Sequence, residues 1–207
     1  MGGRWKPLHY LYKRSLYADV MATCGGDGTC YLKNDRAAQP FSGTVTLEAL
    51  SFADGTVSTV HTERASLPAG AGISHYFHAE NLSAVPNTTH MLIATVRNES
   101  GDAVLSVNEI PLVPPMAMRQ LPAAAVSAKL GSHPVTPNSD GTFDVTLSTN
   151  ATALYVTLTT AAHGRFSDNF FAMPAGSSRV VKFVPFSTFD ATTLAPSLRV
   201  EHLQMYL

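Results

Sequence analysis

The sequence lacks any run of the roughly 18 to 20 apolar residues that a membrane-spanning helix requires, because charged residues, glycine and proline interrupt every apolar stretch. It also lacks an excess of positive charge, since 14 Lys and Arg nearly balance 15 Asp and Glu, for a formal net charge of -1. No basic run is present that could neutralise a row of phosphates. We therefore expect neither a membrane helix nor a nucleic-acid-binding surface.

Motifs for phosphate binding and nucleophilic catalysis are also missing. There is no Gly-Lys-Ser/Thr phosphate loop and no Gly-x-Ser-x-Gly nucleophile elbow. Sugar hydrolysis normally requires two carboxyl groups flanking one bond, and no pair in the sequence suits that role. Seven of the 15 carboxyl-bearing residues illustrate why, since they fall in turn sequences or at outward positions of strand-like segments: Asp54, Glu99, Asp102, Asp140, Glu48, Asp144 and Glu201. We expect no catalytic residue and no cofactor in this chain.

The histidines are not spaced in a way that would let them bind one metal ion together. The best candidates are His75 with His78 or His61. An alternating strand would point His75 and His78 to opposite faces, which prevents joint coordination. No metal site is expected.

The only two cysteines, Cys24 and Cys30, flank a Gly-Gly-Asp-Gly-Thr turn sequence between two strand-like segments. Their side chains could face each other across a hairpin and form a disulfide bond. The alternative is a pair of free thiols in a reducing compartment.

Four triplets match the acceptor pattern for N-glycosylation, and they begin at Asn81, Asn87, Asn98 and Asn150. A chain rich in Ser, Thr and Asn also produces such triplets by chance. Together with the cysteine pair, they indicate passage through the secretory pathway. If both features are incidental, a cytoplasmic location is expected.

Alternation of polar and apolar residues dominates the chain after its first dozen residues. Two strand–turn–strand patterns predict β-hairpins, at residues 44–60 and 91–107. Pro114 and Pro115 interrupt the alternation, since proline cannot donate to a strand ladder, and strand-like segments resume from Ala124 onward. The pattern predicts an all-β protein with two β-sandwich domains in tandem, at residues 14–115 and 116–207.

A short segment before the strands has helical spacing instead, and Pro7 suits its first turn. The apolar or aromatic positions are Trp5, Leu8, Leu11 and Tyr12. We expect a short helix, within residues 1–13, whose apolar face has lost the body on which it packed and is exposed. Four aromatic residues of this region could alternatively stack on a sugar ring, although packing at the connection to an absent domain is favoured. They are Trp5, Tyr10, Tyr12 and Tyr17.

Several segments resemble a known family of enzymes. Residues 3–10, Gly-Arg-Trp-Lys-Pro-Leu-His-Tyr, are similar to the end of the catalytic barrel in β-mannosidases of glycoside hydrolase family 2, with Trp5 and His9 in the motif. Residues 166–176 resemble a Phe-Ser-Asp-Asn pattern in the last immunoglobulin-like domain of that family. The matching residues are Phe166, Ser167, Asp168, Asn169 and Phe170. A turn of the preceding domain is matched by Asn34, Asp35 and Arg36, and residues 112–115 resemble the crossing between the two domains.

The resemblance implies a parent hydrolase that removes terminal β-linked mannose from glycans, typically in the lysosome. The related alternative is the endo-acting mannosidase branch, which shares the same C-terminal architecture. The catalytic glutamates of that family lie in the barrel, upstream of the position of Trp5. The chain is then a non-catalytic accessory region: residues 1–13 are a remnant of the barrel, and two immunoglobulin-like domains follow. Its expected partner is the parent barrel, and glycan is a further candidate ligand.

Two other functions stay open at this stage. An independent carbohydrate-binding module predicts an exposed row of aromatic side chains on one sheet face. A pair of cell-surface interaction domains predicts a flat partner-binding face.

The motif residues also have a structural interpretation. Asp168 and Asn169 can bond neighbouring backbone amides and hold a turn before Phe170 and Phe171 enter the core. Asn34, Asp35 and Arg36 permit the same kind of turn, with an added ion pair.

Overall fold

The structure is a computed structural model that describes residues 5–131, 136–186 and 191–207. Gly3 and Arg4 of the N-terminal motif lie outside the described residues. The chain divides into two compact units. The N-terminal sandwich comprises residues 12–52 and 56–120, and the C-terminal sandwich comprises residues 5–11, 53–55 and the described part of 121–207. The units therefore divide between Gln120 and Leu121, a few residues beyond the predicted boundary at 115/116.

The N-terminal sandwich consists of two antiparallel sheets. Its strands are β1 (Val20–Cys24), β2 (Thr29–Asn34), β3 (Phe41–Ser51), β4 (Val57–Leu67), β5 (Gly72–His78), β6 (His90–Asn98) and β7 (Val104–Pro111). One sheet has the order β1-β2-β5 and the other β4-β3-β6-β7. Both predicted hairpins are present, as the β3–β4 and β6–β7 pairs. Short 3-10 helices span Glu80–Ala84 and Pro115–Ala117.

Alternation along β3 shows why this segment forms a strand. Val45 and Leu47 are fully buried, while Thr44 and Thr46 between them are only half-buried. One face of the strand therefore packs into a core with Leu32 of the facing sheet. Burying a Val or Leu side chain stabilises the fold by about 1.5–3 kcal/mol, so this face fixes the register of the strand.

The C-terminal sandwich has the same two-layer plan. Its strands are β8 (Val126–Leu130), β9 (Phe143–Thr149), β10 (Ala153–Thr159), β11 (Gly164–Phe166), β12 (Phe171–Met173), β13 (Ser178–Pro185) and β14 (Arg199–Glu201). The sheets have the orders β11-β13-β9-β8 and β12-β10-β14. A short helix, α2 (Ala191–Ser197), and a 3-10 helix, Leu203–Tyr206, complete this unit. The predicted all-β fold class is confirmed.

The predicted N-terminal helix is α1 (Pro7–Ser15), with Lys13 and Arg14 in its last turn, where they complement the helix dipole. Tyr10 is 1% exposed and lies in the core of the C-terminal sandwich, and Trp5 packs against the same core. The expectation of an apolar face with nothing to pack against is therefore wrong for Trp5, and Tyr10 packs inside this sandwich. Leu8 and Tyr12, in contrast, are 52% and 36% exposed.

Within the described residues, neither α1 nor α2 is long and apolar enough to cross a membrane.

Candidate functional site

A β-bulge in the C-terminal sandwich turns one aromatic side chain away from the core. The pairing of β10 with β12 shifts register between Ala153 and Val156. Within this interval Tyr155 adopts a left-handed backbone, with φ of 54°, which is rare for a bulky residue. Bulges re-aim side chains in this way. Tyr155 is half-buried, whereas Leu154 and Val156 on either side of it are buried.

The loop before β12 is tied to β10 by the side chain of Asn169, which is 3% exposed. Its Oδ1 accepts a hydrogen bond of 2.8 Å from the backbone N–H of Leu158, and its Nδ2 donates one of 2.8 Å to the carbonyl oxygen of Leu158. Asp168 accepts a hydrogen bond from the backbone N–H of Asn169 and forms an ion pair with Arg179. These contacts fix the position of the residue that follows, Phe170.

Phe170 also has a left-handed backbone, with φ of 60°. Its ring stacks on Tyr155, with the centroids 4.8 Å apart and the planes 11° from parallel. Phe171 is fully buried in the core. The expectation that both phenylalanines enter the core is therefore correct for Phe171 and wrong for Phe170, because the left-handed turn at Phe170 sends its ring to the surface pair.

The stacked pair forms one wall of a surface cavity of about 210 Å³, which we name the aromatic pocket. Its lining residues are Tyr155, Thr157, Phe170, Glu201, His202, Leu203 and Tyr206. Tyr206 is 69% exposed. Its hydroxyl hydrogen-bonds to the Glu201 carboxylate, and this bond raises the pKa of Tyr206. The pocket thus combines three aromatic rings with a carboxylate.

The remaining residues of the C-terminal motif have structural roles. Phe166 is buried and packs edge-on against Phe183, with centroids 5.4 Å apart. Ser167 accepts a hydrogen bond of 3.0 Å from the backbone N–H of Lys182. Sequence reasoning found these residues through the resemblance, but it did not find Tyr155 or Tyr206, since neither the bulge nor the approach of the C-terminal segment has a local sequence signal.

The aromatic residues near the N-terminus do not form a platform. Tyr10 is buried, and Trp5 lies 5.4 Å from it with the Arg165 guanidinium 4.7 Å from the Trp5 ring. His9 is exposed and 6.2 Å from Trp5. Tyr12 packs edge-on against Tyr17 at 6.3 Å.

The Asn34 motif holds a turn in the N-terminal sandwich. Asn34 is fully buried, and its Nδ2 donates hydrogen bonds of 3.0 Å to the carbonyl oxygens of Gln39 and Pro68. Its Oδ1 accepts a hydrogen bond from the backbone N–H of Arg36. The ion pair of this turn joins Asp35 to Lys33.

Cys24 and Cys30 are directly opposed in the β1–β2 hairpin and form a disulfide bond. Gly28, with φ of 86°, provides the left-handed residue of the turn between them.

Among the histidines, His61 and His75 both approach Glu63, at 3.4 Å and 3.1 Å, while His78 is an exposed residue at the end of β5. Across the part of the chain that the structure describes, no group of three or more His, Cys, Asp or Glu side chains is placed to hold a metal ion.

The four sequons differ in accessibility. Asn81, Asn87 and Asn150 are exposed. The Nδ2 atom of Asn98, which a glycan would modify, donates hydrogen bonds of 2.9 Å to Ser100 and 2.7 Å to Asp102.

Two units, each of two antiparallel sheets enclosing its own core, define a pair of immunoglobulin-like β-sandwich domains. Residues 125–205 match the mannosidase family model described as an Ig-fold domain. This match, which lies in the C-terminal sandwich, confirms the predicted resemblance to the C-terminal immunoglobulin-like domains of family 2 enzymes.

Solved structures share the fold of nearly the whole chain. A β-D-mannosidase from Dictyoglomus thermophilum is 20% identical, with a TM-score of 0.66 over 95% of this chain and 23% of its own. An exo-chitosanase from Amycolatopsis orientalis is 16% identical, with a TM-score of 0.58 over 94% of this chain and 26% of its own. The chain thus spans about a quarter of the length of these proteins. No curated protein sequence matches it.

Proposed function

We propose that this chain is the non-catalytic, C-terminal accessory region of a β-mannosidase that hydrolyses terminal β-linked mannose, and that it stabilises the catalytic barrel. The observation that supports this most is the match of residues 125–205 to the mannosidase Ig-fold domain, together with the fold that nearly the whole chain shares with a β-D-mannosidase. Three carboxyl groups are also engaged by basic or imidazole side chains. Asp168 pairs with Arg179, Asp140 pairs with Lys182, and Glu63 lies between two histidines. Retaining glycosidases need two carboxyl groups about 5 Å apart on either side of the scissile bond, and these three carboxyl groups are instead each engaged by their own neighbours.

Two measurements test the proposal. The purified chain should release no nitrophenol from p-nitrophenyl β-mannoside above the buffer rate. The reading frame upstream of Met1 should encode a barrel with two glutamates suited to acid/base and nucleophile roles. Turnover by the chain alone, or an upstream frame without such a barrel, would refute the assignment.

We further propose that the protein passes through the secretory pathway or lysosome. The Cys24–Cys30 disulfide favours an oxidising compartment, and the exposed sequons at Asn81, Asn87 and Asn150 are accessible to glycosylation. Mass spectrometry of the protein from its native source should show glycan at one or more of these three sites. Its absence from all three, together with free thiols, would contradict this location.

An independent carbohydrate-binding role is the second candidate function, and the aromatic pocket is the observation that favours it.

A further inference from the structure

The aromatic pocket has the chemical groups that recognise a sugar ring. Tyr155, Phe170 and Tyr206 line the pocket with aromatic surface. Tyr155 and Phe170 cover one face of each other in their stack, which leaves their outer faces and edges for the C–H face of a pyranose. Thr157 and Glu201 supply a hydroxyl and a carboxylate, which can hydrogen-bond to sugar hydroxyls. The lining thus matches the two kinds of surface that a pyranose presents.

The two central rings are held in place at a cost to the backbone. Among the described residues, the non-glycine positions with left-handed φ are Gln120, Tyr155 and Phe170, so two of the three are in this pocket. Such a backbone is unfavourable for a residue with a side chain and persists only where its surroundings over-determine it. The buried Asn169, bonded to both backbone groups of Leu158, provides that restraint beside Phe170.

The size of the pocket selects a small ligand. Its volume of about 210 Å³ is below the roughly 300–1,000 Å³ of sites that enclose drug-sized molecules. A space of this size suits one monosaccharide ring.

We propose that the aromatic pocket binds one pyranose ring of a glycan, which stacks on the aromatic rings and donates a hydroxyl hydrogen bond to Glu201. This proposal places the second candidate function, carbohydrate binding, at a defined site, and it does not depend on the accessory function. We expect mannose to be the preferred ring, and that expectation alone rests on the proposed β-mannosidase parent.

Saturation-transfer NMR on the full chain tests the proposal. The probes are methyl β-mannoside, β-1,4-mannobiose, methyl β-glucoside and methyl β-galactoside. We expect saturation of the C–H protons of one ring and a Kd near 1 mM, about the affinity of a small contact. Tyr206→Ala should weaken binding about fivefold because one aromatic surface is lost, and Phe170→Leu should do the same. Tyr76→Ala is the matched control, because Tyr76 is 66% exposed and lies in the other sandwich.

Each outcome decides a separate point. Absence of transfer with all four sugars, or equal affinity in the wild type and Tyr206→Ala, would overturn the pocket proposal and leave the accessory function standing. Binding of the mannosides that only the pocket variants weaken supports it. Binding of the glucoside but not the mannosides supports the pocket and counts against a mannosidase parent.

Discussion

The hydroxyl oxygen of Tyr10 accepts a hydrogen bond of 3.2 Å from the backbone N–H of Phe166, 156 positions further along the chain. Burial raises the pKa of this hydroxyl, so the ring stays neutral inside the core. One side chain of the first helix thereby completes both the apolar packing and the backbone hydrogen bonding of the C-terminal sandwich.

Replacing Tyr10 with Phe should destabilise the C-terminal sandwich by about 1–3 kcal/mol, because the buried N–H of Phe166 loses its acceptor. Trp5, the single tryptophan, packs on the same core and reports its unfolding by fluorescence in urea. Tyr17→Phe is the control, since Tyr17 is 75% exposed. Equal urea midpoints for the two variants would show that the hydrogen bond contributes nothing.

Replacing Asn169 with Ala should destabilise the C-terminal sandwich by about 2–6 kcal/mol, because both buried backbone groups of Leu158 lose their partner and each such loss costs about 1–3 kcal/mol. The loss of stability is measured from the urea unfolding transition followed by Trp5 fluorescence. The exposed Asn87→Ala should change stability by less than about 0.5 kcal/mol. A neutral Asn169→Ala variant would mean that the loop is held by other contacts.

Replacing Gly164 with Ala should destabilise the C-terminal sandwich by about 1–3 kcal/mol, as overpacking does. A Cβ at Gly164 would lie 2.3 Å from the Phe183 ring and 2.6 Å from the carbonyl oxygen of Val184. Gly26→Ala is a suitable control, because a Cβ there meets nothing within 4 Å. We expect urea midpoints that separate these two variants, and indistinguishable midpoints would be inconsistent with this packing.

Acid should destabilise the protein partly through Asp140. Hydrogen bonds from Thr142 and from the Lys182 ammonium hold the pKa of Asp140 well below its usual range. A depressed folded-state pKa gives stability that is present above the unfolded pKa of about 4 and is lost as pH falls through the folded value. Asp140→Asn should therefore flatten the fall in Tm below about pH 4. Thr142→Val should flatten it partly, and an unchanged acid slope in both variants would contradict the assignment.

Removing the disulfide should destabilise the N-terminal sandwich modestly. Cys24 and Cys30 are six positions apart, and closing so short a loop is worth about 2 kcal/mol in the chain-entropy treatment. Circular dichroism during urea unfolding should show the same lowered midpoint for the Cys24→Ala, Cys30→Ala double variant and for the wild type in reductant. A wild-type midpoint insensitive to reductant would refute this.

The alternation of polar and apolar residues predicted the strands well, because side chains two positions apart on a strand lie on the same face and are buried or exposed together. Val45 and Leu47 could be assigned to a buried face, and the opposition of Cys24 and Cys30 follows from the hairpin between them. The core position of Tyr10 could not be predicted in this way, since its partner Phe166 is distant in sequence.

The aromatic pocket could not be predicted from the sequence either, because it too depends on contacts between distant residues. Residues 153–158 alternate like a regular strand, and nothing in them signals that Tyr155 leaves the ladder with a positive φ. The resemblance identified Asn169 and Phe170 but did not show that one bonds to Leu158 while the other stacks on Tyr155.

The long separation between Tyr10 and Phe166 has a consequence during translation. At about 5–20 residues per second, a ribosome that has made Tyr10 needs roughly 8 to 30 s to add the 156 residues that lead to Phe166. Throughout that time the core that buries the Tyr10 ring is incomplete, so the ring cannot reach its native position until the strands of the C-terminal sandwich have been made.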